Sequence, residues 1–207
     1  MTAETATVSL DAIDAALAAA TPRLGEDEQH LAAALLRLDD GRAVRIIAAY
    51  VPSRDASPEK VERKRRFLEE LSGELEEAAG SSGPAVLLGD LNILEPEHRP
   101  RYAFFKPFEY EFYRRLACGG WVDAFRLRHP GADEYSWVGR TGDGYRYDHA
   151  FVSQALASKV VSCRYLHDIR ECEGRWTDHS ALTVDLDVAA ARRLPCDPLA
   201  LIPSRLF

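Results

Sequence analysis

The segment PAVLLGDLNIL, at residues 84–94, restricts the fold more than any other. Its four consecutive aliphatic residues, Ala85 to Leu88, show no alternation and read as a strand covered on both faces, which places it in the middle of a layered structure. An unpaired charge inside such a strand would cost several kcal/mol, so Asp90 belongs at the strand's end, near solvent or a cation. Two readings fit that position. One is a plain strand-to-loop turn, with Gly89 at the bend and Asp90 and Asn92 satisfying local backbone groups; the other is a catalytic corner. The segment alone favours neither.

The flanking pattern supplies the rest of the architecture. LAAALLRL (31–38) and AVRIIAAYV (43–51) surround Asp39, Asp40 and Gly41, and predict two antiparallel strands joined by a tight turn. Ser57 as N-cap, Pro58 at the first helical position and apolar Val61, Phe67, Leu68, Leu71 and Leu75 predict a helix over 58–79. A second helix is expected over 107–118, with Phe108, Phe112 and Leu116 inward, and further strands at YSWVG (135–139), YRYDHAFVS (145–153), KVVSCRYL (159–166) and SALTVDLDV (180–188). Helices alternating with mainly β segments predict an α/β sandwich, two sheets with helices outside. Residues 10–20, LDAIDAALAAA, are alanine-rich without an amphipathic stripe, and read as a helix or an irregular arm.

A length of 207 residues with 46% hydrophobic content suits one well-buried core. The net charge of -7 argues against a general polyanion binder, because lysine and arginine supply most nonspecific affinity for phosphate. Basic residues nevertheless cluster in KVERKRR (60–66), HRPRY (98–102) and FRLRH (125–129), and a local basic face can coexist with an acidic total. KVERKRR by itself reads as a solvated helix face. Cys118, Cys163, Cys172 and Cys196 show no CxxC spacing, so neither a zinc site nor a disulfide framework is expected. There is no apolar run of roughly 20 residues and no leader pattern, and the expectation is a cytoplasmic protein with no membrane partner.

Three polar interruptions share one form, acidic and amide or imidazole groups where a strand meets a loop: GDLN (89–92), RYDHAFVS (146–153) and WTDHSAL (176–182). Loops held by rigid strands are where catalytic groups concentrate. AAYVPS (48–53) likewise ends a strand with Tyr50. The ordered set YVPS, GDLN, W-x-D-x-F-R (Trp121, Asp123, Phe125, Arg126), YSW, G-x-R-x-D and DH resembles the exonuclease III branch of the endonuclease/exonuclease/phosphatase superfamily. Each motif is weak alone. Six in the family's order over residues 46–186 are specific, and they span about two thirds of the chain.

The resemblance implies a four-layer α/β sandwich of that superfamily's type and a Mg²⁺- or Mn²⁺-dependent phosphodiesterase acting on DNA, with abasic-site duplex as a possible substrate. Such a reaction needs an attacking water, charge neutralisation at the phosphoryl oxygens and stabilisation of the leaving oxygen. By the same resemblance, Asp90 matches the residue that orients or deprotonates water, and Asn92 the amide that holds the scissile phosphate. His179 matches the histidine that contacts the phosphate, Asp148 the carboxylate that fixes its ring, and Tyr50 a tyrosine whose hydroxyl faces the phosphate. Asp178 matches a carboxylate at the metal end. Trp137, Tyr145 and Tyr147, with Arg146 among them, align with the substrate-binding wall that accepts a flipped-out abasic sugar. Two tyrosines are more polar than the usual wall, and strand packing of these aromatics is the competing interpretation. Taken singly, Tyr50 would be a core aromatic, Asp178 a turn acid and His179 a hydrogen-bonded histidine.

Two features that the resemblance implies are not found: an early strand ending in asparagine and a later one ending in a metal-binding glutamate. Glu4, Glu26 and Glu28 precede GDLN, but none follows an apolar strand run. The expectation is therefore a sandwich incomplete on its N-terminal side, with an arm at 1–30, the family-like domain at 31–190 and a tail at 191–207. An upstream segment or a second chain would complete it and cover the apolar surface left open. The alternatives are a superfamily phosphatase acting on a small or lipid phosphate ester, and a non-catalytic fragment that binds nucleic acid or a partner.

Overall fold

A computed structural model describes residues 31–80, 83–174 and 176–189. The expected arm at 1–30, the tail at 191–207, Cys196, and Glu4, Glu26 and Glu28 lie outside the described residues.

Strands β1 (Leu31–Arg37) and β2 (Ala43–Ala49) form the predicted antiparallel pair, in register from Leu31 opposite Ala49 to Arg37 opposite Ala43. Helix α1 (Pro58–Gly80) then crosses over to β3 (Ala85–Asp90), which runs parallel to β2. Helix α2 (Pro107–Cys118) leads into β4 (Trp121–Asp123), followed by the short helix α3 (Ala124–Arg128). A small hairpin joins β5 (Trp137–Val138) to β6 (Gly144–Tyr145). Strand β7 (Asp148–Ser153) enters the main sheet, and the helical turn α4 (Gln154–Ala157) connects it to β8 (Val160–Leu166). A last turn, α5 (Asp168–Glu171), precedes β9 (Ala181–Leu186).

The five-stranded sheet has the order β1-β2-β3-β7-β4, and β8 pairs antiparallel with β9 in a separate sheet. Alternation along the central strands feeds two cores. Leu87 and Phe151 point to the side where α1 and α2 deliver Leu68, Leu71, Leu75, Phe112 and Leu116. Val86, Ala150 and Val152 point to the opposite side, where they meet Val160, Cys163 and Tyr165 of β8 and Phe125 of α3. Helices thus cover one face of the main sheet and the small sheet covers the other. Each fully buried leucine in these layers contributes about 1.5–3 kcal/mol relative to exposure.

Two sequence expectations need correction. YRYDHAFVS is not one strand: β6 ends at Tyr145 and β7 begins at Asp148. Between them Arg146 turns inward, where its Nη2 donates to Glu95 Oε2 at 2.9 Å and to Asp123 Oδ2 at 2.8 Å. KVERKRR is a solvated face except at Lys64, which is 1% exposed and donates from Nζ to Glu109 Oε1 at 2.6 Å. A buried ammonium persists only where such a partner exists.

Candidate active site

The site is assembled at one end of the main sheet. Because β2 and β3 are parallel, Tyr50, just past the end of β2, and Asp90, the last residue of β3, emerge together, and Val51 N donates to Asp90 O at 2.8 Å. Strand β7 runs the other way, so it starts where β3 stops and places Asp148 opposite Asp90 in register. Gly89 is required where β3 passes the end of β2. Its φ is +139°, and a Cβ there would lie 2.0 Å from Ala49 O of the neighbouring strand.

Asp90 closes the turn that follows. Its Oδ1 accepts from Asn92 N at 2.9 Å and its Oδ2 from Asn92 Nδ2 at 3.1 Å, while Asn92 sits in the left-handed region at φ +49°. The same amide donates to Val51 O at 2.9 Å, so Asn92 ties the ends of β2 and β3 together. From below, Lys64 Nζ donates to Asn92 O at 2.5 Å. Lys64, Glu109 and Arg54 form a buried charge cluster, in which Glu109 is also paired with Arg54 and accepts from Lys106 N. Burial lowers the Lys64 pKa, and the pairing with Arg54 and Lys64 lowers that of Glu109 against the opposing effect of burial.

His179 reaches the site from the loop before β9. Its Nδ1 lies 2.7 Å from Asp148 Oδ2, so the carboxylate fixes Nδ1 as the protonated nitrogen and directs Nε2 away from it. The hydrogen bond to Asp148 holds the His179 pKa above the ordinary histidine value. Burial, and then the Asp148 charge across the sheet, push Asp90 up to about 6. A carboxylate so tuned is ionised at neutral pH and basic enough to accept a proton from water.

Ser136, the middle residue of YSW, organises this end of the site. Its buried Oγ accepts from Tyr147 N and Asp148 N, each at 3.0 Å, and its carbonyl accepts from Ser180 N at 2.7 Å. One serine therefore sets the spacing between Asp148 and His179. Trp137 and His179 form an isolated antiparallel bridge, and Trp137 Nε1 donates to Asp178 Oδ2 at 3.0 Å.

Trp137, Tyr145 and Tyr147 do gather beside His179, with Tyr147 and His179 ring centroids 6.5 Å apart. They are half-buried and do not enter the core between the sheets. The three rings pack on one another, Tyr145 stacking on Tyr147 at 5.2 Å, and Tyr102 adds a further layer at 4.8 Å from Tyr145. The cleft of about 300 Å³ against His179 is lined instead by Leu88, Gly89, Asp148, Thr177, Ser180 and Leu182, among others. Arg146 does not face this site. It is 1% exposed and bound to Glu95 and Asp123, a structural position rather than the substrate contact expected from the sequence.

Asp90 and Asp178 offer hard carboxylate oxygens, the donor type that magnesium takes. Among the described residues, no three His, Cys, Asp or Glu side chains come together to hold an ion. The described residues therefore provide only part of a magnesium site, and the roles proposed below are derived from the side chains themselves.

Fold and site define an α/β sandwich with a carboxylate and imidazole pair set at the strand ends. The chain belongs to the Endonuclease/Exonuclease/phosphatase family, whose sequence pattern matches residues 14–179. It sides with the exonuclease III-like branch. It is 31% identical over 159 residues to an exodeoxyribonuclease III of Haemophilus influenzae, covering 66% of this chain and 59% of that protein. It is 26% identical over 138 residues to an exodeoxyribonuclease of Bacillus subtilis, covering 60% of this chain and 54% of that protein. The chain thus spans less than two thirds of these curated relatives. Among solved structures it matches an AP endonuclease from Archaeoglobus fulgidus with a TM-score of 0.67 at 26% identity, covering 79% of this chain and 67% of the other. A 3'-5' exonuclease from Neisseria meningitidis matches with a TM-score of 0.66 at 27% identity, covering 81% and 69%.

Proposed function

We propose that this protein hydrolyses phosphodiester bonds of DNA with a water activated at Asp90. The observation that carries the proposal is the placement of Asp90 opposite Asp148, with His179 bonded to Asp148 at 2.7 Å. The arrangement supports three coordinated roles. Asp90, raised to about 6, takes a proton from the attacking water. His179, oriented through Nδ1, presents Nε2 to a phosphoryl oxygen, and its raised pKa favours the imidazolium that neutralises developing negative charge. Asn92 exchanges its longer hydrogen bond, to Asp90 Oδ2 at 3.1 Å, for a phosphate oxygen, which also frees Asp90 to face water.

Tyr50, half exposed at the end of β2, is assigned to the same phosphate. Asp178 is assigned one oxygen of a divalent cation, magnesium or manganese, of the kind on which the family depends. The DNA-processing relatives support a nucleic-acid substrate over a small phosphate ester, and abasic duplex is the first substrate to try.

The test compares four substrates in magnesium, in manganese and in chelator: duplex with one abasic site, recessed 3′ duplex, single strand and p-nitrophenyl phosphate. Metal-dependent cleavage of a DNA substrate with no release of nitrophenol is expected. Release of nitrophenol without DNA cleavage would favour a phosphatase, and binding without any cleavage would favour a non-catalytic DNA-binding role.

A further inference from the structure

We propose that Trp176 is a stacking platform for an unpaired nucleobase beside the scissile phosphate. The proposal deepens the DNA-hydrolase function above and rests on it.

Trp176 is 63% exposed, whereas Trp121 is 3% exposed in the core and Trp137 is half-buried beside Tyr145 and Tyr147. Leaving a large indole in water sacrifices the burial that tryptophan normally gains, and such rings concentrate at binding surfaces. Its place in the chain sets what it can touch. Trp176 precedes His179 by three residues, and three residues of chain reach at most about 11 Å. The intervening segment is pinned: Thr177 Oγ1 accepts from His179 N at 3.2 Å, and Asp178 Oδ2 accepts from Trp137 Nε1 at 3.0 Å. The indole is therefore held on the same short loop as His179, within reach of nucleotides next to a phosphate bound there.

The charge balance gives this ring a task. With a net charge of -7 and Asp90, Asp148 and Asp178 at the site, phosphate neutralisation is a weak source of affinity. Aromatic stacking does not depend on net charge and accepts every base, because each has a π-face. Tyr50, just past β2 and beside Asp90 at the end of β3, is 50% exposed and offers a second ring on this surface. A base stacked on both sides within intact duplex offers no face to an indole, so the ligand class is a single-stranded or frayed segment.

The test uses the 207-residue protein, its Trp176→Ala and Trp176→Phe variants, and a mixed-sequence single-stranded oligonucleotide carrying 2-aminopurine. Exposed Trp176 leaves the core untouched, and matching thermal melts check this. In the wild type, DNA should quench part of the tryptophan emission and shield it from acrylamide. Trp176→Ala should lose both effects and bind the single strand about tenfold or more weakly, while intact duplex changes little. Trp176→Phe should recover most of the affinity. Equal affinity of the wild type and Trp176→Ala for the single strand, with DNA still cleaved, overturns the stacking role and leaves the hydrolase function standing. No DNA binding by the wild type overturns both.

Discussion

Asp90 and Asp148 face each other directly across β3 and β7, the last residue of one strand against the first of the next. Like charges placed opposite one another in a sheet are destabilising. Asp90 is also desolvated, and together these effects raise its pKa to about 6. Folding thus favours its protonated form. The resulting penalty is absent below about pH 4, where folded and unfolded chains are both protonated, and is complete above about pH 6. Asp90→Asn should therefore stabilise the protein at pH 7.5 and leave stability nearly unchanged at pH 4. The gain is about 1–2 kcal/mol, because the lost bond from Asn92 Nδ2 offsets part of the relief. Urea unfolding at the two pH values checks this, and a loss of stability at pH 7.5 would contradict it.

In the proposed reaction the same residue sets an acidic limit on activity. Cleavage should rise with pH up to about 6, as Asp90 becomes ionised, and fall again at more alkaline pH as His179 loses its proton. Asp148→Asn removes the opposing charge, so the residual activity of that variant should show its acidic limb at lower pH. An unshifted limb would mean that another group titrates.

Glu109 bridges two buried cations. Glu109→Ala leaves Arg54 and Lys64 without their shared carboxylate and removes the acceptor for Lys106 N. A loss of about 3–5 kcal/mol in urea unfolding is expected. A change under about 1 kcal/mol would show that these cations find other partners.

Much of this organisation was legible in the sequence, for identifiable reasons. The uninterrupted apolar run at Ala85 to Leu88 required a central strand, and β3 is central. Apolar spacing and Pro58 located α1 to within one residue, and YVPS, GDLN and DH marked the strand ends that converge. Long-range ion pairing was not legible. Lys64 looks like its solvated neighbours in KVERKRR until Glu109, 45 residues later, is brought against it. Arg146 looks like a phosphate ligand until Asp123 and Glu95 draw it inward, breaking the strand that YRYDHAFVS predicted. The short helices α3, α4 and α5 carry too few residues for a period to register.

Arg146 separates structure from substrate binding. Arg146→Lys cannot satisfy the geometry that the guanidinium maintains with Asp123 and Glu95, and should cost about 3 kcal/mol of stability. KM for DNA in the remaining folded protein should stay within about twofold. A large rise in KM with unchanged stability would return Arg146 to the substrate site.

The most direct measurement is single-turnover cleavage of an end-labelled DNA substrate in magnesium by the wild type, Asp90→Ala and His179→Ala, with thermal melts in parallel. If Asp90 activates water and His179 neutralises the phosphoryl group, each variant should cleave at least about 100-fold more slowly while remaining folded. Cleavage by either variant within a few-fold of the wild-type rate would place the chemistry elsewhere in the molecule.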